Sequence, residues 1–285
     1  MKMLMFRYSM YLLLLCVAYG CALPGSVADT ERFRVMHNQA QAGDVDSQYQ
    51  LGMQYTFSGQ YAWDRMRGYR WFVDAAEKGH AEAQYMVGMG KLLGRGTDLD
   101  PEGAVTFFSF AAEKGHARAQ YQAGNAYLNG AGVEKDQVWG RQWLEQAAWN
   151  GHKYAQFLLA ALFSGGVGGQ PNNAEAWRWA KKASQNGLER ADNALQNLKE
   201  KMSAEELANG KNLLKRELQF DRKLHKGPRI RYIQTVLNQR GYDAGIEDGI
   251  DGLRTRSTVA KFVRLNNLPK NIQMSDLIDF LRKYP

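Results

Sequence analysis

Three of the five histidines stand at one fixed spacing, and imidazole is a common zinc ligand. They occupy positions 80, 116 and 152, so each step is 36 residues (116 − 80 and 152 − 116). A step of that length can hold a whole pair of helices, whereas a zinc site needs three or four ligands about 2.0–2.3 Å from one ion. The spacing therefore predicts histidines at turns or helix caps, and it predicts no metal site.

Acidic residues near the C-terminus raise a second possibility, a calcium-binding loop. They are Asp243, Glu247, Asp248 and Asp251. An EF-hand loop needs acids at its first, third and fifth positions and glycine at the sixth. Counting from Asp243, the third residue is Gly245 and the sixth is Asp248, so the register does not suit calcium. We expect Asp248 to accept hydrogen bonds from backbone amides of this loop instead.

The motifs of the common hydrolases and nucleotide-binding enzymes are absent from the sequence. It contains neither G-x-S-x-G nor H-E-x-x-H. The glycine clusters at 94–96 and 165–169 have no preceding strand and no following G-K-[ST], so they are not phosphate-binding loops. We predict no catalytic residue and no cofactor, and we expect that the chain is not an enzyme.

The N-terminus has the pattern of a secretory signal peptide. Lys2 and Arg7 precede a short apolar run at 11–18, and Pro24-Gly25 and small residues ending at Ala28 follow it. The run is shorter than the roughly 20 apolar residues that span a bilayer. We expect residues 1–28 to be cleaved and the mature chain to be exported to the periplasm or cell envelope of a bacterium, with a Gram-negative one favoured.

A second interpretation of this segment stays open. Ala18-Tyr-Gly-Cys21 resembles the lipoprotein box of bacteria, in which the cysteine is lipidated and tethers the protein to a membrane. Membrane contact is predicted only in that case. Cleavage after Ala28 would instead remove both cysteines, Cys16 and Cys21, and the mature chain would then form no disulfide.

The charge balance is basic. The net charge of +8 falls to +6 without Lys2 and Arg7 (8 − 2). A basic chain can bind nucleic acid, but export argues against that partner, so we expect no nucleic-acid partner. Anionic polymers of the envelope are the expected neighbours of such a surface.

A repeat of fixed length organises the middle of the chain. Glycines stand at 43, 79, 115, 151 and 187, each 36 residues from the next (79 − 43). Three other sets keep the same step: Tyr49, Tyr85, Tyr121 and Phe157; Gln48, Gln84, Gln120 and Gln156; and Trp71, Phe107, Trp143 and Trp179. Each copy has helical apolar spacing in two segments, which predicts a pair of helices. Neither helix can bury its apolar face alone, so the copies must stack.

Local signals mark the ends and the packing of these helices. Gly94-Arg95-Gly96 is expected to end the first helix of the second copy, and Asp100-Pro101-Glu102 to begin its second helix with Asp100 as N-cap. The equivalent caps are Asp64, Asp136 and Asn172. Small residues recur in mid-helix, where glycine costs up to about 1 kcal/mol relative to alanine, so they predict close helix crossings. They are Gly52, Gly88, Gly124 and Ala160.

The pattern G-x-A-x-A-Q-Y-x-x-G, followed by an aromatic-rich helix that ends A-A-x-x-G, resembles the Sel-one-like repeat family of the tetratricopeptide superfamily. The resemblance covers residues 29–187, as four copies and an N-terminal half-repeat, and implies an α-solenoid that binds a protein partner. Beyond it the period fades. We expect a helical cap at 188–222, which contains the capping box Ser203-Ala-Glu-Glu206, and a linker at 223–227.

Positions that change between copies form one stripe on each first helix. The stripe is Asp46, Gln50, Met53 and Phe57 in the first copy, Glu82, Met86, Met89 and Leu93 in the second, and Arg118, Gln122, Asn125 and Asn129 in the third. Solenoids of the superfamily line their concave face with first helices, so the resemblance predicts a partner groove here. Methionine and polar side chains suit a peptide or helical ligand. Simple solvation of the stripe is the alternative.

Residues 228–285 are predicted to form a small domain of three helices. The segment from Ile233 to Thr255 reads I-Q-x-x-L-x-x-x-G-Y-x-x-G-x-x-D-G-x-x-G-x-x-T and resembles the three-helix peptidoglycan-binding domain. Two positions depart from that family, with Val263 in place of glutamine and Thr258 in place of alanine. The resemblance implies peptidoglycan as a ligand. We expect Tyr242 to stack on a sugar and Arg254 to pair with a carboxylate, while Asp248, Gly249 and Thr255 shape the loop.

Apolar spacing also assigns the inward faces of this domain. The expected inward residues are Ile230, Ile233 and Leu237 in the first helix, Val259, Phe262 and Leu265 in the second, and Leu277, Ile278 and Leu281 in the third. Thr255 and Ser275 are the expected N-caps of the second and third helices.

The sequence thus predicts an all-α protein, an α-solenoid of helix-pair repeats followed by a small three-helix domain. Its predicted function is that of a non-enzymatic adaptor or scaffold of the bacterial envelope, which binds an envelope protein or peptide through the solenoid and peptidoglycan through the C-terminal domain. Two alternatives stay open. One is a dedicated component of a secretion, polysaccharide-export or flagellar-motor assembly, and the other is an accessory to, or remnant of, a wall-remodelling enzyme.

Overall fold

The computed structural model describes residues 27–58, 62–219, 227–244, 253–269 and 271–283. All regular elements in these ranges are α-helices, which confirms the predicted all-α class and its consecutive helix pairs. None of the described helices is long and apolar enough to cross a membrane. Nearly all of the predicted signal peptide, including Cys16 and Cys21, lies outside the described residues.

The first of two compact units runs to His80. It contains α1 (Val27–Gln41), α2 (Val45–Ser58) and α3 (Ala62–Glu77). Leu51, Phe72 and Ala75 are buried where α2 and α3 pack together. The prediction of Asp64 as an N-cap is wrong, because α3 already begins at Ala62 and Asp64 lies buried in its first turn.

The second unit begins at Ala81. Its helices are α4 (Ala81–Leu93), α5 (Pro101–Glu113), α6 (Ala117–Asn129), α7 (Gln137–Trp149), α8 (Lys153–Gly165), α9 (Asn173–Gln185), α10 (Arg190–Lys201), α11 (Ala204–Gln219), α12 (Gly227–Gln239), α13 (Leu253–Leu265) and α14 (Met274–Lys283). Helices α4 to α9 form three pairs, and α10 and α11 each pack against α9. We refer to α12–α14 as the terminal module.

The second helices of the three pairs begin at side-chain caps. The carboxylates of Asp100 and Asp136 accept hydrogen bonds from the backbone N–H of Gly103 (2.8 Å) and of Trp139 (2.8 Å). The side-chain oxygen of Asn172 accepts one from Glu175 N–H at 3.0 Å. These three caps are confirmed, and each satisfies one of the amides that a helix N-terminus leaves without an intrahelical partner.

Helices within a pair cross at the small residues that the sequence singled out. A Cβ atom added to Gly88 would lie 2.6 Å from the Phe108 ring, and one added to Gly124 would lie 2.7 Å from Cγ of Leu144. In the first unit the same test places a Cβ at Gly52 only 2.5 Å from Phe72. The predicted close crossings are therefore confirmed at these three glycines, and no larger residue fits there without displacing its neighbour.

Two of the recurring histidines join consecutive helix pairs. Nδ1 of His116 accepts a hydrogen bond from Ala119 N–H (3.1 Å) at the start of α6, and its ring packs on Tyr85 of α4 with centroids 4.8 Å apart. His152 caps α8 in the same way and stacks on Tyr121 at 4.5 Å. The cap role predicted for these residues is confirmed. No group of three or more potential metal ligands occurs among the described residues.

The recurring glutamine has a structural role that the sequence did not reveal. The buried side chain of Gln120 donates a hydrogen bond to Ala112 O (3.0 Å), and that of Gln156 donates one to Ala148 O (2.9 Å). Each accepting carbonyl lies in the last turn of the preceding second helix, where carbonyls have no intrahelical partner. Gln48 makes the equivalent bond to Ala40 O (3.1 Å) in the first unit.

Two further helices, α10 and α11, follow the last repeat. The capping box predicted at Ser203 is confirmed, since Ser203 N–H donates to the Glu206 carboxylate at 2.8 Å and Glu206 N–H donates to Ser203 Oγ at 3.1 Å. The hydrogen bond from the Ser203 backbone lowers the pKa of the Glu206 carboxyl. Helix α11 approaches α9 closely at Gly210, where a Cβ would lie 3.0 Å from the Trp177 ring.

The terminal module has the predicted three helices with some different inward residues. Ile233, Leu237, Phe262, Leu277, Ile278 and Leu281 are buried as expected. Leu265 is 57% exposed, so its assignment to the inward face is wrong. Both predicted caps are also wrong, because α13 begins at Leu253 and α14 at Met274, so Thr255 and Ser275 lie inside the helices. The side chain of Ile230 is outside the described part of the chain.

Candidate functional site

The predicted stripe on α4 is a partly exposed row. Glu82, Met86 and Met89 are half-buried, and Leu93 at the end of the helix is exposed. Met89 packs against the neighbouring hydrophobic core, so only part of its side chain is available to a ligand. The α4 stripe thus combines an apolar surface with one carboxylate.

The α6 stripe lies directly beside that of α4. The Gln122 amide donates to Met89 Sδ at 3.5 Å, and Arg118 forms an ion pair with Glu82. The Arg118 guanidinium also lies over the Tyr85 ring, 4.9 Å from its centroid. Members of the two stripes therefore contact each other, and the surface they form is continuous from α4 to α6. Asn125 is half-buried on the same helix.

A network of charges lies at one end of this surface. The carboxylate of Glu82 is 2.7 Å from His116 Nε2 and also pairs with Arg118. Because Nδ1 of His116 accepts the cap hydrogen bond, the neutral ring carries its proton on Nε2 and donates it to Glu82. Burial raises the pKa of the Tyr85 phenol, and burial together with the positive charge of Arg118 lowers the pKa of His152. Glu82 is paired within this network, while the Arg118 side chain stays 56% exposed, so the surface offers a guanidinium as well as apolar and amide groups.

In the first unit, one residue of the α2 stripe, Gln50, borders an open groove. Gln50 is exposed and Met53 is half-buried. The groove has a volume of about 490 Å³ and is lined by Glu31, Arg32, Val35, Met36, Gln39 and Gln50. Phe57, at the end of the helix, is 67% exposed.

The second candidate site, the loop predicted to bind peptidoglycan, is described at its two ends. Gly241 has a φ of +79°, which lets the chain turn out of α12, and the Tyr242 ring then packs edge-on against Phe262 at 5.4 Å. The hydroxyl of Thr255 accepts a hydrogen bond from the Gln234 amide (3.0 Å) and donates one to Ala244 O (3.1 Å). Thr255 thus fastens the start of the loop to α12 and α13.

The other predicted residues of that loop are not placed. Asp248 and Gly249 lie outside the described residues, and so does the side chain of Arg254. Val263, which departs from the family pattern, is buried in the core of the module. A polar glutamine at this position would need a buried hydrogen-bond partner, so valine suits the packing observed here.

The surface that joins the terminal module to the repeats was not predicted from the sequence. The Tyr232 ring of α12 meets Trp139 of α7 edge-on with centroids 5.0 Å apart, and both residues are buried. Trp139 also contacts Trp143 (5.5 Å) and Tyr127 (6.4 Å). One signal was available, because residues at the equivalent place in the other copies are Arg67, Gly103 and Glu175. An aromatic that breaks the repeat pattern indicates a contact that only one copy makes.

Comparisons with known proteins agree with the helix-pair architecture. A family model described as Sel1 repeat matches residues 45–80, 81–116, 117–152 and 153–188, just over half of the chain. No curated protein matches the chain.

Two solved structures are similar. One is a protective antigen present in uropathogenic Escherichia coli strains, which displays an SLR fold; identity is 27%, the TM-score is 0.60, and the alignment covers 72% of this chain and 44% of that one. The other is a Sel1 repeat protein from Oxalobacter formigenes, with 28% identity, a TM-score of 0.53, and coverage of 59% of this chain and 66% of that one. The chain thus spans less than half of the Escherichia coli protein.

Proposed function

Because the chain belongs to the Sel1 repeat family, whose members generally act as non-catalytic scaffolds for protein–protein interaction, we propose that it is an adaptor of the bacterial envelope. In this proposal the repeats hold an envelope protein or peptide, and the terminal module holds peptidoglycan. Export, by cleavage after Ala28 or lipidation at Cys21, brings the chain to that compartment.

The continuous stripe surface of α4 and α6 supports the proposed partner site. Its apolar side chains come from one helix and its carboxamides from the next, and Gln122 touches Met89 across the boundary between them. A peptide can bury apolar side chains against Met86 and Met89 while its backbone bonds to the amides of Gln122 and Asn125. The observation that carries this half of the proposal is that contact between neighbouring first helices.

Changing Met86 and Asn125 together to lysine should weaken capture of the partner about tenfold, because a charge placed in an apolar interface loses its hydration. These two residues are preferable to Met89, which also packs against the core. Proteins crosslinked to each variant in cells would be quantified by mass spectrometry. Met66→Lys, an exposed methionine on α3, is the matched control. Equal amounts of every crosslinked protein in wild type and double variant would place the partner site elsewhere.

The terminal module supports the second half of the proposal through its resemblance to wall-binding domains. The loop between α12 and α13 begins with an aromatic ring that its neighbour Phe262 supports, and it ends next to a buried threonine that bonds to the loop's first residues. A ring of this kind can stack on a sugar, and the side chain of Arg254 can pair with a carboxylate of the stem peptide.

The full chain should co-sediment with purified sacculi at low salt, and Tyr242→Ala with Arg254→Ala should reduce the bound fraction about tenfold. The two changes remove a stacking ring and a cation. Tyr154→Ala with Arg65→Ala removes the same chemical groups from exposed positions on the repeats and should leave sedimentation unchanged. Circular dichroism would check that each variant keeps its helices. A wild-type chain that never sediments with sacculi would overturn the wall-binding proposal.

A further inference from the structure

Helix α13 of the terminal module has a basic outer face. Its sequence, LRTRSTVAKFVRL, contains no acidic residue. Arg256, Lys261 and Arg264 are exposed, whereas Phe262 and Val263 are buried against the other two helices. The exposed residues between these bases are small, a serine and an alanine. Apart from Leu265, which is exposed at its C-terminal end, the helix therefore has a buried apolar side and an exposed cationic side.

Lys261 and Arg264 lie close together on that outer side. They are separated by three residues, which places them about 60° apart around the helix axis and within one turn of each other. Among the described residues of the module, the exposed acids are Asp243, in the loop before α13, and Asp276 and Asp279 on α14. The hydroxyl of Thr258 donates to the backbone oxygen of Asp243 at 2.6 Å, so Asp243 lies beside the first half of the helix. The second half, with Lys261 and Arg264, lies beyond that acid along the helix.

The same helix supports the proposed wall-binding loop. Phe262, on the buried side of α13, holds the Tyr242 ring at 5.4 Å, and Thr255 in the first turn bonds to Ala244 O. A polymer bound at that loop extends over neighbouring surface, since a glycan strand with its stem peptides is longer than one loop. The exposed side of α13 is part of that neighbouring surface.

We propose that Lys261 and Arg264 form a second contact for peptidoglycan, which recognises carboxylates of its stem peptides; this inference rests on the proposed wall binding. The ammonium of Lys261 acts as a point charge, and the guanidinium of Arg264 can hold a carboxylate through two parallel hydrogen bonds. Both groups are exposed, so each contact is weak and is screened by salt over about 8–10 Å. A polymer can still bind measurably, because it offers many carboxylates to Lys261 and Arg264.

The test compares charge reversal on α13 with charge reversal elsewhere in the full chain. Lys261→Glu with Arg264→Glu should reduce the fraction bound to sacculi about tenfold at low salt. Lys199→Glu with Lys215→Glu changes the net charge equally at exposed positions of α10 and α11, and it should leave binding close to wild type. The neutral pair Lys261→Gln with Arg264→Gln should give an intermediate loss. Circular dichroism would verify folding of all three.

A second arm identifies the recognised group. On sacculi whose carboxylates have been converted to neutral amides, wild type and the Lys261→Gln with Arg264→Gln variant should bind equally, because no carboxylate is left for the two bases to recognise. If wild type does not sediment with native sacculi, the wall-binding proposal itself fails. If wild type sediments and the α13 reversal changes nothing, or if both reversals weaken binding equally, this inference is overturned and wall binding stands. Binding of each variant to duplex DNA is measured as well. If the α13 reversal abolishes DNA binding but leaves sacculus binding intact, the basic face recognises a phosphate polymer and this inference is overturned.

Discussion

Gly124→Ala is expected to destabilise the protein by about 2 kcal/mol, although alanine is the better helix former by about 1 kcal/mol. The added Cβ would lie 2.7 Å from Cγ of Leu144 and 3.0 Å from the backbone oxygen of Gly140. A side chain can move aside, but a backbone oxygen moves only if the two helices separate. Unfolding in urea, followed by circular dichroism, would measure the change in the free energy of unfolding.

Gly165→Ala is the matched control for this substitution. Gly165 is also helical, but the atom nearest to a Cβ added there would be Val167 Cγ2 at 3.8 Å, which is ordinary van der Waals contact. The control should therefore stay within about 0.5 kcal/mol of wild type. If Gly124→Ala is equally tolerated, the helices do not cross as closely as described.

The fourth copy shows how the crossing accommodates a larger residue. There Ala160 replaces glycine, and the residue in the place of Leu144 is Ala180, also buried in the same cluster. One side of the contact has gained a methyl group and the other has lost most of a side chain. Gly124→Ala combined with Leu144→Ala should accordingly cost at least about 1 kcal/mol less than the sum of the two single changes. Strict additivity would contradict this compensation.

Trp139→Ala should cost about 3–5 kcal/mol, as is typical for truncating a buried aromatic residue, and should release the terminal module from the repeats. The substitution removes the ring that Tyr232 packs against at 5.0 Å. Backbone amides of α12 should then exchange with deuterium faster than in wild type, because the module opens without the support of α7. Hydrogen exchange detected by mass spectrometry would localise the effect.

Trp149→Ala provides the comparison for this second prediction. Trp149 also lies on α7 and contacts another tryptophan, Trp179, at 5.4 Å, but it is 44% exposed. Its truncation should be less costly and should leave exchange in α12 unchanged. Unaltered exchange of α12 in Trp139→Ala would show that the module does not depend on this aromatic contact.

The sequence predicted the features that have local or periodic signals. The caps at Asp100, Asp136 and Asn172 follow from residue type and from neighbours within three positions. The glycine crossings could be predicted because they recur at a fixed step. The prediction for Asp64 also came from its position in the repeat. It was wrong because α3 begins earlier in its copy than the other second helices do in theirs.

Contacts made only once in the chain were not predictable in this way. Trp139 and Tyr232 are far apart in sequence, and no periodic pattern links them. Leu265 fits the apolar spacing of α13 but is exposed at the end of that helix. Apolar spacing alone does not show how far along a helix its neighbours pack against it. At the candidate partner site, the stripe was found from its variation between copies. The ion pair of Glu82 with Arg118 and the contact of His116 with Glu82 required the structure.

The contact of His116 with Tyr85, which connects consecutive helix pairs, has a consequence for how such arrays lengthen by gene duplication. Its parts, a histidine that caps the following helix and a tyrosine that stacks on that histidine, occur again unchanged at His152 and Tyr121. An extra copy of 36 residues inserted between these contacts would make the same histidine–tyrosine contact with the copy before it and with the copy after it. Unequal recombination can therefore lengthen the array without creating a new kind of interface. The next equivalent residue is Leu188, buried and unable to act as a cap. A copy can therefore be added in this way within the array, but not after its last repeat, where Leu188 stands in place of the histidine.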